Sequence, residues 1–378
     1  MSKSTIGIGL VGTRFMGRAH SNAYRNVSQF FDLPASPVLQ TACGRNEERL
    51  AAFAQQFGWQ NTTTDYQQLA ARDDVDLVDI STSNDTHLEI ALAAAQAGKH
   101  ILCEKPLART VAEAQQMYDA AQAAGVTTMM VFNYRFVPAL ALAKRLIDEG
   151  KLGTIRHFNA VYYQDWLVDE TFPITWRHSV EKSGSGAHGD MNAHIIDLAR
   201  HLVGEFTAVV GEQNVFVRER PIEGGNETGT VTADDATTFL ARFDNGAVGS
   251  FCATRMASGR KNFLRLEIFG SKGSINFNLE RLNELEYYSV DEPDAYRGFK
   301  NILVTEATHP YIDAWWPPGH IIGWEHTFVH LVARLLEAIS RSEPVTPNFY
   351  DGLQCQRVLD AVTASAQMGQ WQMIDADA

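Results

Sequence analysis

The sequence predicts an α/β protein in two parts, a doubly wound parallel domain over residues 1–131 and an α+β domain over residues 132–378 whose strands pair mainly antiparallel. Three observations carry this. Short apolar runs alternate with helix-periodic stretches through the first third of the chain, a glycine-bearing turn follows the first run, and beyond Pro138 strand-like runs succeed one another across short turns. Length agrees, since 378 residues exceed the size at which one core usually stops growing.

In the first part, Ile6 to Leu10, Val38 to Cys43, Val75 to Ile80, His100 to Cys103 and Thr127 to Val131 read as strands. Thr86 to Glu89 and Thr110 to Glu113 have capping-box spacing, and Gly98 and Gly125 stand where helices should stop. Phe30 to Pro37, which holds Pro34 and Pro37, reads as a loop. In the second part, a helix from Ala139 to Glu149 ends at Gly150, an extended segment covers Thr154 to Trp166, and a helix is expected from about His188 to Leu202. Asp244-Asn245-Gly246 between Thr237 to Phe243 and Ala247 to Thr254 is a hairpin signal. Asn262 to Phe269 and Ser274 to Asn278 flank a second turn, and helices near Glu325 to Ile339 and Gly352 to Ser365 close the chain.

Composition excludes several roles. Lys plus Arg number 32 against 45 Asp plus Glu, and a net charge of -13 repels polyanions, so no nucleic-acid partner is expected. No apolar run is long enough to span a bilayer, and the first residues lack the apolar core of a secretion signal, so no membrane partner and a cytoplasmic location are expected. Cys43, Cys103, Cys252 and Cys355 are scattered, which suggests neither a disulfide framework nor a zinc knuckle, and no metal is expected.

Gly12-Thr13-Arg14-Phe15-Met16-Gly17 occupies the place of a G-x-G-x-x-G dinucleotide turn, after a strand and before a helix, with Arg14 where the second glycine would stand. The end of the second strand, Ala42-Cys43-Gly44-Arg45-Asn46, carries no acid to bond a ribose 2′-OH. Arg45 and Arg14 suit a 2′-phosphate, so the expected cofactor is NADP or NAD, with NADP favoured.

At the carboxyl end of the strand His100 to Cys103 stands Glu104-Lys105-Pro106, and ligands of open α/β sheets bind at such strand ends. Further on, Asp190 and His194 lie at i and i+4 on one helix face, Asp197 continues that face, and the lead-in Ser183-Gly184-Ser185-Gly186 permits close backbone approach. Imidazole or a desolvated lysine can remove the proton of an alcohol as hydride leaves its carbon. His188, Asp190, His194 and Asp197 read less well as a metal set, and His326 and His330, without a glutamate beside the first, as a plain helix face.

With these residues assembled, the chain resembles the Gfo/Idh/MocA oxidoreductases. The resemblance rests on the turn Gly12 to Gly17, Ser83-Asn84-Asp85-Thr86-His87, Gly98 to Pro106, Phe132-Asn133-Tyr134-Arg135, and Gly189-Asp190 through His194. Tyr163 to Trp166, Thr175 to Arg177, Ala253 to Arg255 and His309 to Tyr311 look like its levoglucosan dehydrogenase branch. The family fold implies a Rossmann domain followed by an α+β domain with a large open sheet. The resemblance also implies Lys105, Asp190 and His194 as the catalytic set. It implies cofactor contacts from Gly12, Arg14, Phe15, Met16 and Gly17 in the turn, from Arg45, Ser81, Asn84 and His87, and from Glu104, Lys105 and Asn133. Sugar contacts are expected from Tyr134, Arg135, Tyr163, Asp165, Trp166, Trp176, Arg177 and Arg255 beside Asp190 and His194, with Arg177, Arg255, Arg260 and Lys261 open to an anionic substituent.

Two activities fit these residues. One is an NAD(P)-dependent sugar dehydrogenase that oxidises a secondary hydroxyl; the other is a glycoside hydrolase that oxidises transiently, eliminates the aglycone and returns the hydride. The expected partners are a small-molecule carbohydrate and further copies of the chain in a homo-oligomer, a dimer or a tetramer, because a broad sheet face must be covered.

Overall fold

Burial on both faces explains the near-continuous apolar strands of the first part. In the computed structural model, which describes residues 4–225 and 227–374, they form a six-stranded parallel sheet in the order β3-β2-β1-β4-β5-β6. Its elements are β1 (Ser4–Val11), α1 (Phe15–Phe30), β2 (Ala35–Cys43), α2 (Glu47–Phe57), β3 (Asn61–Thr63), α3 (Tyr66–Ala70), β4 (Leu77–Ile80), α4 (His87–Gln96), β5 (His100–Cys103), α5 (Val111–Ala124) and β6 (Thr128–Met130). Strand order reverses between β1 and β4, and a ligand crevice opens at the carboxyl ends of strands at such a switch point.

Two local expectations give way here. The loop expected over Phe30 to Pro37 shrinks to residues 31–34, since α1 runs to Phe30 and β2 starts at Ala35. Pro37 is tolerated because it pairs with Ile6 on one side, while β3 covers only Thr41 to Cys43 on the other, so its missing N–H lies on an open edge. Thr86 makes no capping box, because Asn84–Thr86 is a 3-10 turn and its hydroxyl bonds Thr82 Oγ1 at 2.7 Å and Ser83 O at 2.9 Å. At the other expected box, Thr110 Oγ1 accepts the Glu113 N–H and the Glu113 carboxylate accepts the Arg109 N–H.

The next elements are α6 (Pro138–Asp148), β7 (Ile155–Tyr163), α7 (Val180–Ser183), α8 (Ala193–Leu202), β8 (Phe206–Asn214), β9 (Glu219–Pro221), β10 (Thr228–Thr230), β11 (Ala236–Phe243), β12 (Val248–Thr254), β13 (Phe263–Gly270), β14 (Gly273–Asn278), β15 (Glu284–Ser289) and β16 (Lys300–Leu303). The chain then forms α9 (His326–Arg341), α10 (Phe349–Met368) and β17 (Gln372–Met373). A nine-stranded sheet runs β16-β15-β14-β13-β7-β12-β11-β8-β17. Its pairs are antiparallel except β7 with β12. Gly246 takes φ +84° in the β11–β12 hairpin, as the Asn-Gly signal requires. Strand alternation sends Phe239 and Phe251 inward, where they stack with centroids 4.4 Å apart.

Contacts divide the chain into two compact units, residues 1–136 with 323–353 and residues 137–322 with 354–378. The boundary expected near residue 131 is therefore crossed again. Gly323–Leu353 belongs to the first unit, where α9 packs on α1 and β2, and Met130 N donates to Pro347 O at 2.9 Å. Among the described residues no helix is long and apolar enough to cross a membrane.

Candidate active site

In the first unit, the turn Gly12 to Gly17 is built by close backbone approach. Gly12 has φ +110°, its N–H donates to Cys43 O at 3.0 Å, and a Cβ there would lie 2.5 Å from Ser81 O. A Cβ on Gly17 would lie 2.1 Å from Gly12 O. The helix α1 then starts at Phe15 with no side-chain cap and no acidic residue in its first turn, which leaves its N–H groups for an anion. This cradle fits a dinucleotide pyrophosphate. Arg14, in place of the second glycine, adopts φ −87° and is exposed. Ser81 donates to Gly12 O at 3.0 Å and so supports the turn; a Cβ on Gly44 would lie 3.3 Å from Thr13 Oγ1, and the exposed Arg45 follows at the same strand end.

Lys105 is half-buried at the end of β5. Glu104 and His87, expected at the cofactor, are buried and have partners inside this unit. The first carboxylate oxygen of Glu104 meets His20 Nε2 at 3.1 Å, and His87 Nδ1 lies 3.2 Å from both Pro106 O and Leu107 O. Burial lowers the His87 pKa, and the carbonyls around it do not reverse that. His20 is the opposite case: burial alone would lower its pKa, but the charges and hydrogen bonds of Asp79 and Glu104 prevail and raise it to about 10.

Tyr134 and Arg135, expected at a sugar, are also buried; Arg135 Nη2 donates to Asp351 Oδ1 at 3.0 Å. Asn133 Nδ2 donates to Thr327 Oγ1 at 2.9 Å, and Thr327 Oγ1 donates to Trp324 O at 2.7 Å. Trp324 in turn stacks on Phe15, centroids 5.5 Å apart and planes 7° from parallel. The sequence reading missed Trp324 and Thr327, which back two expected cofactor residues. Trp324→Ala is expected to weaken binding of the reduced dinucleotide about three- to tenfold, the scale of one aromatic pair. A fluorescence titration that finds unchanged affinity removes this role.

In the second unit, His188–Asn192 is a π-helical turn that precedes α8, so Asp190 and His194 do not share one regular α-helical face as expected. Such turns recur at functional sites because the extra residue re-aims side chains. Asp234 anchors the turn by accepting from Gly186 N at 2.6 Å and His188 N at 2.8 Å. Gly186 is needed for that approach, since a Cβ would lie 1.8 Å from Asp234 O. His188 Nε2 donates to Leu359 O at 3.0 Å while Nδ1 accepts from Asn192 Nδ2 at 3.0 Å, which uses both nitrogens and speaks against a metal ligand.

Arg255 is 2% exposed and donates through Nη2 to Asp190 Oδ2 at 2.8 Å, with its guanidinium 5.3 Å from the Trp166 ring centroid. Its charge serves Asp190, so its part is to aim that carboxylate. Trp166 Nε1 donates to Gln164 Oε1 at 2.9 Å, Gln164 Nε2 donates to Asn262 Oδ1 at 2.8 Å, and Tyr162 OH donates to the same Asn262 oxygen at 2.7 Å. The Tyr162 ring lies 6.0 Å from that of His194. Tyr163, expected at the sugar, is on the other face of β7, stacked on Phe263, because consecutive strand residues point oppositely. Tyr162, Gln164 and Asn262 are thus the residues sequence reasoning missed in this unit. Asp165 accepts from Lys261 Nζ at 2.8 Å, Arg177 lies over Trp176 at 4.4 Å, and Arg260 lies over Phe263 at 3.8 Å.

Comparison with known proteins agrees with this fold. Residues 6–132 match the oxidoreductase family with an NAD-binding Rossmann fold, and residues 140–276 match the GFO/IDH/MocA C-terminal domain. The chain belongs to the Gfo/Idh/MocA oxidoreductase family. Levoglucosan dehydrogenase of Pseudarthrobacter phenanthrenivorans is 42% identical over 97% of this chain and 97% of its own. An oxidoreductase domain protein from Kribbella flavida superposes with a TM-score of 0.96 at 51% identity, covering 98% of this chain and 100% of that one. Levoglucosan dehydrogenase in complex with NADH and levoglucosan gives a TM-score of 0.95 at 43% identity, again over 98% of this chain and 100% of that one.

As in the rest of the Gfo/Idh/MocA family, then, this chain has an NAD-binding Rossmann fold followed by a C-terminal domain. Within the first unit Gly12, Arg14, Phe15, Gly17, Ser81 and Arg45 gather at the carboxyl ends of β1, β2 and β4. Within the second, Asp190, Arg255 and Trp166 form one cluster.

Proposed function

We propose that this chain is a nicotinamide-dependent dehydrogenase that oxidises a secondary hydroxyl of a sugar or anhydrosugar. The observation that carries the reading is Arg255, a buried guanidinium whose paired carboxylate, Asp190, remains 30% accessible four residues before His194. Burying an arginine is costly, and fixing an acid/base group is a use that offsets the cost.

In this reading Lys105 holds the reacting hydroxyl through its ammonium group, and the His194 imidazole takes the hydroxyl proton. Asp190, aimed by Arg255, bonds the substrate or the imidazole. Gly12 to Gly17 with Arg14, Arg45, Asn84 and Asn133 would hold the dinucleotide, which supplies a hydride acceptor when bound. Gly44-Arg45-Asn46 offers no acid to a 2′-OH, which supports NADP, while relatives solved with NADH support NAD. Arg255, Arg260 and Lys261 are each engaged inside their unit, which supports a neutral sugar over an acidic one.

The test is to incubate the protein with NAD and, separately, NADP against free sugars, anhydrosugars, acidic sugars and aryl glycosides. Reduced cofactor forming in proportion to one sugar is the expected result, and the better cofactor decides the 2′ question. Aryl release with catalytic cofactor and no net reduction would instead make the chain a redox-assisted glycosidase.

A further inference from the structure

We infer that His20 is a positioning residue for Lys105, acting through Glu104: the imidazole spans Asp79 and Glu104, and the second oxygen of Glu104 takes the Lys105 backbone N–H. This rests on the proposed role of Lys105. His20 Nδ1 lies 2.9 and 3.0 Å from the two Asp79 oxygens, Nε2 lies 3.1 Å from Glu104 Oε1, and Lys105 N donates to Glu104 Oε2 at 3.2 Å. Tyr24 OH, one turn along α1 from His20, donates to Asp79 Oδ2 at 2.9 Å. A single bonded path therefore runs from α1, the helix that follows the dinucleotide turn, through β4 to the loop after β5 that carries the lysine.

The arrangement is a poor choice for packing alone. His20, Asp79 and Glu104 are 1%, 0% and 5% exposed, and charges so deeply buried seldom stabilise more than apolar residues of the same shape would. What they add over apolar packing is direction. Glu104 Oε1 meets His20 and Oε2 accepts the Lys105 N–H, so both ends of the carboxylate are held, and with them the direction of the first peptide of Glu104-Lys105-Pro106. On the far side of Lys105, His87 fixes the Pro106 and Leu107 carbonyls. Two buried imidazoles thus brace the lysine from both sides. The groups that face His20 are Tyr24 from α1, Asp79 from β4, Glu104 beyond β5 and the Phe328 ring from α9; the Cys103 thiol nearby is pushed up by burial and by the charges of Glu104 and Asp79.

The experiment compares Glu104→Gln, His20→Gln and, as control, Tyr24→Phe in the full chain, each assayed well below its melting temperature. A glutamine at 104 keeps the shape but cannot accept from both His20 and the Lys105 N–H, so kcat is expected to fall about 10- to 100-fold, the cost of misplacing a reacting group by about an ångström. Sugar KM should change less than kcat. Hydrogen exchange of the peptide holding Lys105 should quicken in Glu104→Gln and His20→Gln but not in Tyr24→Phe, which loses one bond at the remote end and keeps its kcat. Should His20→Gln fail to fold, Glu104→Gln still decides. Folded variants with unchanged exchange at Lys105 and unchanged kcat overturn the inference, whatever their melting temperatures. If the wild-type chain turns over no sugar, the functional reading fails, and the exchange result alone still tests the positioning.

Discussion

His194→Asn is expected to lower kcat for sugar oxidation by about 10²- to 10⁴-fold, the usual contribution of a positioned general base. Asparagine keeps a polar side chain of similar reach but cannot take a proton near neutral pH. The affinity for reduced dinucleotide, a property of the first unit, should stay within about threefold of wild type in the variant. Lys105→Met should cost a similar factor. The double variant should lose far less than the product of the two, because groups that serve one proton transfer are not additive. Steady-state rates at saturating cofactor, paired with fluorescence titration of the dinucleotide, check this; a His194→Asn enzyme within tenfold of wild-type kcat would remove the imidazole from the acid/base role.

His20→Gln is expected to destabilise the protein by about 3–5 kcal/mol, because it leaves the carboxylates of Asp79 and Glu104 buried without the cation between them. For a unit of this size that lowers the melting temperature by roughly 10 °C. The pH dependence is the sharper signature. The folded pKa of His20 is raised to about 10 from an ordinary 6.5, so the folded state holds a proton that the unfolded chain releases. Its contribution is complete below pH 6.5 and is lost as pH rises towards about 10, with a limiting slope of about 1.4 kcal/mol per pH unit for one proton. Thermal melts of wild type and variant from pH 6 to pH 10 should converge as pH rises. A gap that stays constant over that range would mean that His20 is not a buried cation.

The sequence made the local features of this protein legible. The strand His100 to Cys103, the glycine turn at Gly12 and Gly17 and the Asn245-Gly246 hairpin each obey a rule of one strand or one turn, and each is found where expected. Pairings between distant residues were not legible. Thr327 reaches Asn133 across 194 residues, Asp351 reaches Arg135 across 216, and no periodicity marks either meeting. Arg255 was read as a sugar contact because bidentate polar groups suit polyols, and its pairing with Asp190, 65 residues away, carries no mark in the sequence. Which of Tyr162 and Tyr163 faces His194 was not legible either, because the register of β7 is set by its neighbours β12 and β13, and one residue of slip exchanges faces. The π-helical turn left no trace because one inserted residue does not alter composition.

The return of Gly323–Leu353 to the first unit bears on how the protein is made. A ribosome delivers residues in order, yet the edge strand β6 lacks its carbonyl partner until Pro347 emerges, and α1 lacks the helix that covers it until α9 does. The dinucleotide half must therefore wait, half-assembled, while the whole of the intervening nine-stranded sheet except its final edge strand is synthesised. Shuffling such a half between proteins as a self-sufficient N-terminal cassette would leave it unfinished.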